Sequence, residues 1–157
     1  MTIKIVMGIP CAGKSTFIKK YFPNSTKIDL YDFQQRYEEP CIASTIKSYE
    51  DARIALVEAI NNGEDVVFEH TLLKAIRREI YVRTIKNITN EPIDIYLINP
   101  PLQRFKENHL IRFGDEFRDD DLTLYHKLLE LPTKEEGFAN VYIVDDINKW
   151  GDVYEKK

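Results

Sequence analysis

Residues 8–16 read Gly-Ile-Pro-Cys-Ala-Gly-Lys-Ser-Thr, and residue types at this spacing are made to hold phosphate. They satisfy G-x-x-x-x-G-K-[ST] between an apolar run, Ile3–Met7, and a helical pattern, the context in which that motif has physical meaning. Gly8 and Gly13 let the backbone curl so that successive N–H groups point inward at an anion. The start of the following helix adds its partial positive charge. Lys14 reaches the β- and γ-phosphates, and the Ser15 hydroxyl is placed to ligand Mg²⁺. Gly8, Pro10, Cys11, Ala12, Gly13, Lys14, Ser15 and Thr16 are therefore the expected nucleotide-binding residues, and a nucleoside triphosphate is the implied ligand.

Phosphoryl transfer to a hydroxyl also needs a carboxylate beside the γ-phosphate, to orient the acceptor or take its proton. Asp29 and Asp32, in Lys27-Ile-Asp-Leu-Tyr-Asp-Phe-Gln-Gln35, are the candidates; either is equally a helix cap. Glu69, at the end of Val66-Val67-Phe68, suits a water on Mg²⁺, and Thr71 suits an acceptor contact or a cap. His70 reads either as structural or as part of the site. Arg77 and Arg78 suit a phosphate on the substrate, or a solvated helix face. A cation-rich stretch over about 108–120 reads as a lid with a bend at Gly114. Arg112 is the first choice to close over the γ-phosphate, followed by Arg104 and Arg118.

The elements that must position these groups alternate. Strands are expected at Ile3–Met7, Thr26–Asp29, 65–69, Ile93–Ile98 and 141–144, and helices at Lys14–Tyr21, 44–61, 73–86, 100–112 and 121–131. That order predicts a mostly parallel five-stranded sheet with helices on both faces, an α/β three-layer fold in one domain over 1–157. In such sheets ligands bind outside the carboxyl ends of the strands, where the residues named above fall. The net charge of −4 argues against a broad basic surface. No apolar run is long enough to span a membrane, and the first strand starts at once, so no membrane partner and a cytoplasmic setting are expected. Cys11 lies inside the loop, where a disulfide to Cys41 would obstruct it, which favours a reducing compartment. The tail after Asp146 reads as a short helix around Trp150 or as loose chain.

The chain resembles the small P-loop kinases related to the kinase domain of polynucleotide 5′-kinases. The likeness rests on residues 8–16, on Asp32-Phe33-Gln34-Gln35, on Thr71 with Arg77-Arg78, and on Pro132-Thr-Lys-Glu-Glu-Gly-Phe138. It implies ATP as donor with Mg²⁺, Asp32 as the group that activates a 5′-hydroxyl, Thr71, Arg77 and Arg78 as acceptor contacts, and Arg112 on the γ-phosphate. An ungapped match puts Tyr31 at the family's usual aspartate, Gln34 at its usual arginine and His70 at an acidic position.

Three functions are consistent with these residues. The first is a kinase acting on a single-stranded or end-exposed nucleic acid with a 5′-hydroxyl end, aided by a basic strip of Arg77, Arg78, Arg83 and Lys86. The second is a kinase of a small sugar, nucleoside or antibiotic, favoured by the acidic chain and by the lack of an aromatic stacking platform in the sequence. The third is an ATP-binding regulator or ATPase, for which neither Asp29 nor Asp32 would stand near the phosphates.

Overall fold

A computed structural model describes residues 2–37, 42–148 and 154–155; Cys41 and Trp150 lie outside the described residues. The chain runs β1 (Ile3–Met7), α1 (Lys14–Tyr21), β2 (Thr26–Asp29), α2 (Leu30–Gln34), α3 (Ile42–Asn61), β3 (Val66–His70), α4 (Ala75–Lys86) and β4 (Ile93–Ile98). It continues with α5 (Leu102–Phe113), α6 (Asp119–Leu128), a 3₁₀ turn (Lys134–Glu136), β5 (Asn140–Val144) and β6 (Tyr154–Glu155). The sheet order is β2-β3-β1-β4-β5-β6. The first five are mutually parallel, and the two-residue β6 adds an antiparallel edge to β5. The five parallel strands are those expected from the sequence; β1, β2 and β4 keep their expected limits.

β1 and β4 are buried along their whole length, as strands covered on both faces must be. Successive side chains point to opposite faces. Ile3, Ile5 and Met7 face one core, with Leu56 of α3 and Ile85 of α4. Val6 faces the other, with Phe17 of α1 and Phe105 of α5. Two helical layers sandwich the sheet, so the carboxyl ends of β1, β2, β3 and β4 open along one edge.

One helix departs from expectation. α2 begins directly after β2, capped by Asp29, whose Oδ1 accepts the Tyr31 amide at 3.0 Å. A helix of five residues is too short to show a periodic pattern in sequence.

Arg78 corrects the sequence reading. It is fully buried rather than open toward a substrate. Its Nε and Nη2 donate to Glu136 Oε1 and Oε2 at 2.7 and 3.1 Å, and Nη1 donates to the Leu72 and Leu73 carbonyls at 2.8 and 3.3 Å. The guanidinium thereby ties α4 to the chain leaving β3 and to the 3₁₀ turn, where Thr133 and Glu136 close a capping box. The distinctive segment 132–138 is thus an architectural clamp. Arg78→Met should lower unfolding free energy in urea by about 3–5 kcal/mol, because it strands the Glu136 carboxylate. Adding Glu136→Leu should recover much of that; a single variant as stable as the parent would refute the clamp.

Candidate active site

Backbone geometry at the phosphate loop explains its glycines. A Cβ on Gly8 would lie 2.6 Å from the Ile98 carbonyl oxygen of β4. Gly13 sits at φ 104° and caps α1 without any side-chain hydrogen bond, so no side chain closes the amides at that end of the helix. An anion cradle of this kind fits the triphosphate that the motif implies. The Lys14 ammonium donates back to the carbonyls of Gly8 and Ile9 at 2.8 and 3.2 Å. Burial pushes it down to about 8, against the pull of Glu69 and Asp29.

Register brings two carboxylates to the same edge. β2 and β3 pair so that Asp29 stands opposite Glu69, and β3 pairs with β1 so that Glu69 stands opposite Val6, just before the loop. Ser15 Oγ donates to Glu69 Oε1 at 2.9 Å. Lys27, from the same strand as Asp29, puts Nζ 3.0 Å from Glu69 and 3.6 Å from Asp29. Burial, then the neighbouring Glu69 charge, pushes Asp29 up to about 6. A hydroxyl beside two carboxylates is a hard oxygen donor set, and it fits Mg²⁺ better than any soft metal.

Lys14, Ser15, Asp29 and Glu69 border a cleft of about 2070 Å³ that runs along the strand ends. Across the loop, Asn108 Nδ2 of α5 donates to the Cys11 carbonyl at 2.8 Å, joining the helix to the loop. Arg112 of α5 lies over the Tyr31 ring, 5.1 Å from its centroid, and is close enough to interact electrostatically with Cys11 and Lys14. Burial nevertheless holds the Cys11 thiol above its ordinary value.

Pro10 to Thr16, Asp29, Glu69, Thr71, Arg104 and Arg112 all border this cleft. Asp32 does not: it is exposed on the outer side of α2, beside Lys27 and Arg36 in a separate shallow recess. Arg77 is exposed on α4 away from the cleft lining, and Arg104 pairs with Glu107 along α5. Arg118 is the exposed N-cap residue of α6, ahead of Asp119-Asp120-Asp121. Neither Arg77, Arg78 nor Arg118 reaches the lining, in contrast to the sequence expectation.

Sequence reasoning assigned nothing to Lys27, Asn108 or Tyr49. Only the place of Lys27 two residues before Asp29, on the same face of β2, could have flagged it. Tyr31, Gln34, Tyr49, His70 and Thr71 line the end of the cleft next to α2 and α3. His70 is stacked on Tyr49 at 5.7 Å between centroids. Its Nδ1 accepts the Leu72 amide at 3.2 Å, which leaves the proton on Nε2, a buried atom without a hydrogen-bond partner. Burial, reinforced by Lys14 and Arg77, pushes His70 down to about 3. The expected missing stacking platform is therefore partly present: Tyr31 and Tyr49 are 48% and 37% exposed at the cleft.

No protein-family model matches the chain. Among solved structures it is similar to a chain of the Pnkp1/Rnl/Hen1 RNA repair complex, with TM-score 0.67 and 15% identity over 80% of its length. It spans only 42% of that larger chain. A sugar kinase from Janibacter sp. HTCC2649 matches with TM-score 0.65 and 14% identity, covering 95% of this chain and 87% of the other. A gluconokinase from Sinorhizobium meliloti 1021 matches with TM-score 0.60 and 16% identity, covering 94% and 86%. The chain has the α/β fold of the P-loop kinases, the group its motifs resemble.

His70 carries a pH prediction. The unfolded chain takes up this proton near 6.5 and the folded chain only near 3, so its share of stability is complete above 6.5 and is lost as pH falls between those values. The loss should be on the order of 3–5 kcal/mol at the acid end. Urea melts of the parent from about pH 7 to about pH 4 should show it, and His70→Phe should flatten the slope. Parallel slopes would assign the acid loss to other groups.

Proposed function

We propose that the protein is a phosphotransferase that moves the γ-phosphoryl group of ATP to a hydroxyl acceptor. The observation that carries this is the convergence of Lys14, Ser15, Glu69, Asp29 and Arg112 on one cleft at the strand ends. The loop amides and Lys14 hold the β- and γ-phosphates. Mg²⁺, taken by the Ser15 hydroxyl and by Glu69 directly or through water, would supply charge neutralisation between phosphate oxygens. Asp29 orients the acceptor and takes its proton as the acceptor oxygen bonds to the γ-phosphorus and the bond to the β-phosphate breaks, releasing ADP. Arg112 balances the charge on the phosphoryl oxygens from the lid side. Asp29, rather than Asp32, is assigned as the base because Asp29 borders the cleft and Asp32 does not. Its position beside Ser15 and Glu69 also weighs against a nucleotide-binding regulator with no acceptor.

A small, uncharged hydroxyl compound fits the acceptor end better than a polynucleotide. Polynucleotide affinity comes mainly from cations on phosphates. The basic strip expected on α4 is interrupted: Arg78 is sealed against Glu136 and Arg83 pairs with Glu79, leaving Arg77 and Lys86 exposed. The acceptor end itself is lined by Tyr31, Gln34, Tyr49, Thr71 and a neutral His70. One observation favours the second reading, a 5′-hydroxyl nucleic acid end: the exposed rings of Tyr31 and Tyr49, on which a base could stack.

Transfer of labelled γ-phosphate from ATP, with Mg²⁺, to a panel of sugars and nucleosides and to a 5′-hydroxyl oligonucleotide tests both readings. Label on a small acceptor is the expected result, and label on the oligonucleotide alone would select the second. Lys14→Ala should cut transfer by about 10³-fold or more; near-parental transfer would refute the nucleotide site. Asp29→Asn should leave ADP affinity within about threefold while lowering transfer about 10²- to 10⁴-fold. Full transfer by that variant would remove Asp29 as the base.

A further inference from the structure

One charged side chain behind the cleft wall, Lys27, borders the shallow recess beside α2 yet reaches the carboxylates of the cleft, and it has no part in the transfer chemistry. Lys27 Nζ stands 3.0 Å from Glu69 Oε2, 3.6 Å from Asp29 Oδ2 and 3.5 Å from Ser15 Oγ. It meets three oxygens drawn from three different elements, and they are the same hard donors suited to a divalent cation. The two carboxylates are nearly buried, 12% and 6% exposed, so their charges need a local partner. Lys27 enters from β2 and is itself 30% exposed, which leaves its long, flexible stem a route outward to solvent.

We infer that the Lys27 ammonium is a built-in counter-ion that competes with the divalent cation for the Ser15 and Glu69 oxygens. The inference rests on the reading of Ser15 and Glu69 as the metal end of the nucleotide site. A metal taking those oxygens, directly or through water, meets an ammonium already bound to them, and two cations on shared oxygens repel. Metal loading therefore requires Lys27 to swing away. Lys27 keeps Asp29 and Glu69 from repelling one another and raises the metal concentration at which the site fills. Exposed Lys19 on α1 serves as the control, with no such contact with these oxygens.

The test is Mn²⁺ binding to nucleotide-free protein, followed by electron paramagnetic resonance at constant ionic strength. Lys27→Met should bind Mn²⁺ at least about tenfold more tightly than the parent, while Lys19→Met should stay within about twofold. Equal or weaker binding by Lys27→Met overturns the inference, as does an equal gain in Lys19→Met. Should Lys27→Met not fold, acetylation of Lys27 in the parent, followed by mass spectrometry, reads the same event. Its rate should rise several-fold when Mn²⁺ is added, and an unchanged rate overturns the inference. Failure of the underlying nucleotide reading would appear elsewhere, as absent binding of a fluorescent ADP by the parent protein.

Discussion

The parallel register of β2, β3 and β1 is the constraint on which the rest of the site depends. It sets Asp29 opposite Glu69 and brings Glu69 to the root of the phosphate loop, with Ser15 Oγ 2.9 Å from its carboxylate. Burial, and then the charge of Glu69 beside it, pushes Asp29 up to about 6. A sheet would not hold such a pair without a cation, and Lys27 supplies it from the same strand. Register, repulsion and counter-ion form one unit. A one-residue slip of β2 would turn Asp29 to the opposite face and dissolve it.

The same logic separates what was legible in the sequence from what was not. The loop could be read because its chemistry is local: nine successive residues carry both the backbone turn and the functional groups. The choice between Asp29 and Asp32 was not local. Asp29 ends β2 and caps α2, so it stays at the sheet edge, and Tyr31 and Gln34, three residues apart, share the helix face that borders the cleft. Asp32 is turned about 100° from Tyr31 and meets solvent. Five residues of helix carry too little periodicity to reveal that rotation beforehand.

Arg77 and Arg78 teach the same point on a longer helix. Adjacent helical residues lie about 100° apart, so two neighbouring arginines cannot both face one ligand edge. Which of them turns inward depends on Glu136, 58 residues downstream of Arg78. The segment 132–138 looks like a functional signature because it is chemically distinctive, yet its glutamate serves the fold. Segments distinctive enough to mark a family need not touch its substrate; a buried arginine demands its partner just as strictly as a phosphate does.

Charge balance links these pieces to function. Lys14 and Lys27 face Asp29 and Glu69, two cations against two anions, so this end of the site is self-neutralised. Each lysine is held by oxygens that a ligand would replace: Lys14 by the Gly8 and Ile9 carbonyls, Lys27 by the carboxylates. For Lys14 the replacement is favourable, because burial already weakens its charge and phosphate oxygens would restore it. For Lys27 the replacement sets one cation against another. On the proposed reading, such a site would favour a triphosphate and its metal arriving together over either alone, since the phosphates would satisfy Lys14 as the metal displaced Lys27.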